Sequence, residues 1–487
     1  MAKGEKIIYQ GAVFNPSSMT TGIPDLLVRS DIINDIFNKN ILDDKEKSIG
    51  CTYSSKWHYR VIDIKFAKLH LLSDGKYMPN TKKTLTYKSQ VIIYNFGLGY
   101  MQNYLPEECY ILGRKWSFVL KSELQSGNDC FDRLGHINIK KNDLKIVKKS
   151  KLAIEWIQNL RENGDKWNLS PPSVRELYPN MSNHEDEYPW SNAKKEIGQK
   201  LYELTMLWNI GPMQRINAHR TGVFQWNDYN CNSNMLNVHG KRARIVDKII
   251  DINRLENQTI IQPRKIKNRD NIIRIKQEDI EFVVDFETVS DIDEDFNTNS
   301  VDSSIIFMIG CLTTYKINNV QYAKEFVSFT SKNISHEEEF KILIDWIKYM
   351  NSFNQFFQNK SPKIYHWSNA EPVIYRHVQK KYKMHNFPEL NFTDLLKVFQ
   401  EEPIVVKNSF SYGLKEISKC LYEHGIIKTT WDNTILDGKD AMIYALTCNS
   451  NNPENFNTSN IILHIEKYNY VDCKVIDEIL EHLRKIC

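Results

Sequence analysis

Two apolar runs in this chain each carry charged side chains at i and i+2: "YRVIDIKFAK" at 59–68 and "EFVVDFETV" at 281–289. Their density of β-branched and aromatic residues predicts strands. Strand side chains alternate, so Asp63 and Lys65 share one face while Ile62 and Ile64 share the other. Asp285 and Glu287 share a face in the same way. Charges set in a run otherwise fit for burial need partners. The simpler reading of the first run is a salt-bridged face of a half-buried strand. The alternative is a site that handles a cation and a water, and the rest of the chain has to discriminate.

The texture changes twice along the 487 residues. Residues 1–145 hold short β-branched runs such as "KIIYQGAVF". Residues 146–277 read as helical, ending in a basic linker. In "KLAIEWIQNLRENG", Leu152, Trp156, Ile157 and Leu160 recur at helical spacing and Asn163-Gly164 closes the run. "NAKKEIGQKLYELTMLWNIGP" predicts a second helix through Ile197, Leu201, Leu204 and Trp208, stopped by Gly211-Pro212. "QPRKIKNRDNIIRIKQ" is then read as a solvated linker, or else a strip that contacts a phosphate backbone. From 278 to 487, strand-like segments alternate with amphipathic helices, an α/β pattern that ends in a helix at 461–485. An α/β multidomain protein with regions 1–145, 146–277 and 278–487 is the expectation.

Hydrophobic residues at 41% and charged residues at 25% describe a globular protein, and the net charge of +4 requires any basic patch to be local. The cysteines include no C-x-x-C pair, which disfavours disulfide frameworks and zinc ribbons and fits a reducing compartment. No apolar run approaches the roughly 18 residues of a membrane span, and "MAKGEKIIYQ" opens no cleaved signal. No membrane association is expected; the chain reads as soluble and intracellular.

Asp-x-Lys alone is weak, since "DGK" and "DLK" also occur here. At 63–65 it has context. Upstream, "GIPDLLVRSD" turns at Gly22 and Pro24 and opens an apolar run at Asp25. Downstream, "YKSQVIIYNFGLGYMQ" predicts an amphipathic helix with Gln90 and Tyr94 on one face. Phosphodiester hydrolysis needs a magnesium-class cation, which takes oxygen ligands. Asp25 and Asp63 would supply carboxylates and the Ile64 carbonyl a third oxygen. Lys65 would orient or help deprotonate the attacking water, with Gln90 and Tyr94 fixing the lysine or the substrate backbone. A buried ion-pair network in an inactive fold is the alternative.

Gly22-x-x-Asp25, Asp63-x-Lys65 and Gln90-x-x-x-Tyr94, in that order, resemble the PD-(D/E)XK nucleases of the RecB-like branch, which includes the CRISPR-associated exonucleases. "IIYQGAVF" and "YILGRKW" share that texture, which is also similar to that of the giant-virus virophage-resistance nucleases. The resemblance implies a restriction-endonuclease-like N-terminal core and magnesium or manganese dependence. In that family a helix before the first strand carries a glutamate or histidine ligand. Here "MAKGEKIIYQ" reads as near the end of that helix, so either the chain starts late or this member does without that ligand. Some members bind an iron–sulfur cluster; Cys109 and Cys130 are isolated, so none is expected here.

In the second run, Asp285 and Glu287 are joined by Glu371 in "IYHWSNAEPVIYRHV", at a strand–helix junction. Asp472 follows in "YNYVDCKVIDEIL", with Tyr468 one turn before it. Carboxylates from separate elements can converge on two cations, and Tyr468 could orient the water. Asp-x-Glu-Thr first and Tyr-Asn-x-x-Asp-Cys last resemble the DnaQ-like, DEDD-type 3′–5′ exonuclease domain, which implies a ribonuclease H-like fold. Glu371 stands where that family usually carries aspartate; Asp394 is a substitute, although a helix cap fits it equally.

The expected function is metal-dependent cleavage of DNA, single- or double-stranded, from ends, in viral defence, repair or recombination. The catalytic residues would be Asp25, Asp63 and Lys65. The rivals are catalysis in the C-terminal domain alone and a non-catalytic nucleic-acid adaptor. G-x-x-x-x-G-K-[ST] is absent, so unwinding would fall to a helicase partner. A homodimer remains open.

Overall fold

The computed structural model describes residues 1–183, 187–254, 259–289, 304–318, 321–359, 361–431, 438–451 and 453–487. They form an α/β protein of two compact units, one spanning Met1–Lys166 and the other comprising the described residues from Trp167 onward. The segment 146–277 is shared between them. Among the described residues, no helix is long and apolar enough to cross a membrane.

The first unit begins with strands β1 (Ile7–Tyr9), β2 (Val13–Asn15), β3 (Thr20–Gly22) and β4 (Leu26–Arg29). Short helices α1 (Ile33–Ile36) and α2 (Asp44–Lys47) lead to β5 (Tyr59–His70) and the long helix α3 (Lys82–Gln102). Strands β6 (Glu108–Leu120), β7 (Glu123–Gly127) and β8 (Gly135–Asn138) and helix α4 (Leu144–Asn163) complete it. The sheet runs β1-β4-β5-β6-β7, with β8 also on β6; β2 and β3 form a separate hairpin. Strands β5 and β6 are parallel, joined across the sheet by α3.

The alternation expected for 59–68 holds through Lys65, beyond which the register against β6 shifts before Lys68. Val61 packs in the core beneath α3 with Val91 and Ile92. Ile62 packs on the opposite face with Val28 and Ile33. Asp63 and Lys65 therefore emerge on the α3 side. Helix α3 is not the one-sided amphipathic helix expected. It lies among the sheet, the β2–β3 hairpin and α4, so polar Lys88, Asn95 and Gln102 are buried alongside the apolar residues.

The second unit opens with α5 (Ser191–Lys200), α6 (Pro212–Arg220) and α7 (Lys241–Arg254). Gly211-Pro212 starts a helix where a stop was expected. Gly211 is the N-cap and Pro212 the first helical residue, a position where a missing N–H costs nothing. Strand β9 (Ile261–Gln262) and helix α8 (Arg269–Ile275) follow. The basic segment 262–277 is packed: Ile266 and Ile275 are buried, and Arg274 pairs with Glu401.

Then come β10 (Ile280–Val289), β11 (Ile305–Lys316), β12 (Tyr322–Thr330), α9 (His336–Phe357), β13 (Lys363–His366), α10 (Ala370–Lys381) and β14 (Asn391–Asp394). The chain ends through α11 (Leu395–Glu401), β15 (Val405–Val406), α12 (Leu414–Glu423), α13 (Gly438–Asn451) and α14 (Asn460–Lys485). The sheet order is β12-β11-β10-β13-β14. Strand β11 is antiparallel to both β10 and β12. Strand β13 is parallel to both β10 and β14. One face of β10, through Phe282, Val284 and Phe286, packs on α9 and α10. On the other, Val283 shares a core with α14 and with residues of α7 and the 204–210 segment. Asp285 and Glu287 lie on this α14 face by the same alternation.

Candidate functional site

Asp25 immediately precedes β4, where its carboxylate accepts the Ile64 N–H at 2.7 Å. That bond extends the β4–β5 ladder by a side chain and places Asp25 beside Asp63. Lys65 Nζ lies 2.7 Å from Asp63 Oδ2 and donates to Gln90 Oε1 at 2.8 Å. Gln90 Nε2 in turn donates to Tyr94 Oη at 2.7 Å. The sequence-predicted Asp25, Asp63, Ile64, Lys65, Gln90 and Tyr94 are thus one connected group. Burial raises the Asp63 pKa, the Lys65 ammonium pulls it down, and Asp25 adds to the rise. Asp63 Oδ2 is buried, and its contact with Lys65 has ion-pair distance without hydrogen-bond alignment. A buried carboxylate oxygen short of donors suits a hard cation.

In the second unit, Asp285 and Glu287 on β10 meet Asp472 on α14, with one ligand atom from each lying within 4.8 Å of the others. Glu371, in the first turn of α10, adds its charge to Asp285 and Glu287. Burial raises the pKa of all three clustered acids. Burial first, and then repulsion from Asp472, Glu287 and Glu371, raises Asp285 well above the carboxylate range. Glu287 is pushed up to about 7, eased by Asn469 and Lys415. Asp472 is pushed up to about 8, against the pull of Lys415, Tyr468 and Trp431.

Tyr468 hydrogen-bonds Asp472, one helical turn away. Asn469 Nδ2 donates to Asp285 Oδ2 at 2.7 Å, while its own buried Oδ1 has no partner among the described residues. Glu371 Oε2 lies 3.2 Å from His366 Nδ1 without hydrogen-bond alignment. Crowded acids and orphaned oxygens of this kind fit magnesium or manganese, which bind carboxylate oxygen. Asp394 does not join them. Its Oδ1 accepts Ser368 N and Leu396 N, capping α11.

Lys415, Asn469 and His366 are given no role by the sequence alone. Asn469 had a signal, since it sits inside the Tyr-Asn-x-x-Asp motif. Lys415 had none: it opens α12, far from the acids in sequence, and reaches Glu287 and Asp472 only through the fold. No family model matches the chain, and no curated protein matches its sequence.

Proposed function

We propose that this chain is a metal-dependent nuclease that hydrolyses DNA phosphodiesters from ends, with an acidic centre in each unit. The observation that carries the reading is the approach of Asp285, Glu287 and Asp472 to within 4.8 Å. Carboxylates so placed repel one another and hold their protons, an arrangement of use once a cation neutralises them. The order β12-β11-β10-β13-β14, with the acid pair on β10 and Asp472 on the last helix, supports a ribonuclease H-like, DEDD-type domain. The group from Asp25 to Tyr94 on a sheet crossed by α3 supports a PD-(D/E)XK core of the RecB-like kind.

Asp25 and Asp63 would hold the cation in the first unit; Asp285, Glu287, Asp472 and Glu371 would do so in the second. When bound, magnesium or manganese supplies Lewis-acid polarisation of the phosphate and lowers the pKa of an attacking water. Lys65, anchored by Gln90 and Tyr94, orients that water and offsets the charge developing on phosphorus oxygens. In the second unit Tyr468 orients the water beside Asp472, and Lys415 offsets local negative charge.

The test is degradation of end-labelled single- and double-stranded DNA with manganese. Lys65→Ala and Asp285→Ala should each remove the share contributed by one unit, by about a hundredfold. The doubly substituted chain should be inert. Undiminished degradation by that double variant would overturn the reading.

A further inference from the structure

The basic segment at 262–277 packs its apolar underside and turns its charges outward. Ile266 and Ile275 are buried, while Arg264, Lys265, Lys267 and Arg269 are exposed. We propose that this segment and the facing part of α7 form a docking surface for duplex DNA, held by its phosphate backbone. The ligand class rests on the nuclease reading above; the surface lies in a part of the second unit that precedes the sheet and supplies none of its acids.

The cations gather in one neighbourhood, around the end of α11. Lys248 Nζ donates to the Pro403 carbonyl at 3.4 Å, and Arg244 stands one turn before it on α7. Glu402, next to Pro403, accepts the backbone N–H groups of Lys267 and Asn268 at 2.8 and 3.1 Å. Arg274 of α8 pairs with Glu401. Lys397 lies one turn before Glu401 on α11 and lines a pocket of about 330 Å³ with Arg274 and His366. His366 Nδ1 is 3.2 Å from Glu371 Oε2. The surface thus reaches the edge of the second acidic centre through direct contacts.

The acids here are mostly engaged and the cations are not. Glu401 is taken by Arg274 and Glu402 by backbone N–H groups. Asp247 accepts Ser233 N at 2.7 Å and Ser233 Oγ at 2.8 Å. Asp394, in the pocket, accepts two backbone N–H groups. Asp251 and Asp270 are the acids left exposed on α7 and α8. Against them, Arg244, Lys248, Lys267, Arg269 and Lys397 make no ion pair among the described residues. Burial, and then the charge of Arg244, lowers the Lys248 pKa, and Glu402 offsets this only in part. The first turn of α7 adds Lys241 and Arg242 and holds no acid, although the positive end of a helix dipole favours one. An external anion relieves all of this crowding.

The side chains on this surface select the anion. Residues 262–268, α7, α8 and α11 carry one aromatic residue, Phe399, and it is buried. Single strands are held by stacking bases on aromatic side chains, which this surface does not offer. It takes phosphates alone, the groups that a duplex presents along its outside. Ile272 and Ile273 are exposed on α8, too small an apolar face to seat a helix in a bilayer surface.

The experiment measures binding of a fluorescein-labelled blunt DNA duplex to the full chain across a salt series, with calcium in place of magnesium. For the wild type, log K should fall with log salt by about 0.9 for each phosphate neutralised. The triple variant Arg244→Ala, Lys267→Ala, Arg269→Ala should reduce that slope by about three and weaken binding at least about tenfold. A second triple, Lys348→Ala, Lys380→Ala, Lys383→Ala, removes the same charge from exposed positions elsewhere in the second unit and should leave slope and affinity as they were. Manganese binding by calorimetry should match the wild type in both triples, which checks that the second unit is folded.

Equal effects of the two triples would mean that net charge acts rather than this surface, and would overturn the proposal. So would tighter binding of the wild type to anionic phospholipid vesicles than to the duplex. A wild type that neither binds manganese nor degrades DNA would sink the nuclease reading instead, while the two salt slopes would still report on the surface.

Discussion

Gly22 owes its identity to Tyr94. A Cβ built on it would stand 2.2 Å from Tyr94 Cε1, well inside any van der Waals contact, so a side chain there must displace the ring. The ring hydroxyl holds Gln90, and Gln90 holds Lys65, so the displacement reaches the ammonium without touching it. Gly22→Ala is therefore expected to lower first-unit degradation by about tenfold or more, measured in an Asp285→Ala background that silences the second unit. Activity equal to that background would show that Tyr94 does not position the lysine. Gly310 is the counterpart in the second unit. It pairs across the sheet with Asp285, and a Cβ there would fall 1.7 Å from Asn469 Oδ1. Gly22 is marked in the sequence by its motif, although the reason for it arrives with α3; Gly310 is not marked there, because it is defined by a helix that arrives from elsewhere in the chain.

Helix α3 is tied down by a buried ion pair. Lys88 Nζ donates to Met78 O at 2.7 Å, Asn80 Oδ1 at 2.8 Å and Asp143 Oδ1 at 2.7 Å. Neither charged side chain reaches solvent. Asp143→Ala would leave that ammonium buried and unpaired, a change that costs about 3–5 kcal/mol. Urea unfolding should show the loss, and a shift below about 1 kcal/mol would mean that Lys88 finds water or another partner. At this scale the sequence was legible where period decides. The strands at 59–70 and 280–289 and the last helix followed from alternation and helical spacing, and with them the facing of Asp63, Lys65, Asp285 and Glu287. It was misleading where tertiary packing decides. Helix α3 is packed on several sides and needs no polar face, so its burial could not be read from its period. The basic segment 262–277 looked solvated because its buried anchors, Ile266 and Ile275, are few. Its countercharge at Glu401 lies more than a hundred residues downstream in the sequence.

Each unit has its own core, and the second stores electrostatic repulsion at the centre of its sheet. That repulsion makes the stability of the metal-free chain depend on pH in a defined direction. Asp472 has an ordinary pKa of 3.8 and is pushed up to about 8 in the fold, by burial and then by Glu287. A group whose pKa is raised on folding favours the folded state fully below its unfolded value, and that advantage is lost as pH rises to the folded value. The metal-free chain should therefore lose stability between about pH 4 and pH 8. Asp472→Asn, which cannot ionise, escapes this loss. In EDTA at pH 8 the variant should unfold at a higher temperature than the wild type, and the gap should shrink toward pH 5. Manganese should reverse the order at pH 8. Binding only the folded state, it adds about 2.7 kcal/mol at a hundredfold excess over Kd, and the variant lacks one of its ligands. A variant less stable than the wild type in EDTA at pH 8 would mean that Asp472 is held by structural partners such as Tyr468 and Lys415. The acids would then form a satisfied network with no place for a cation.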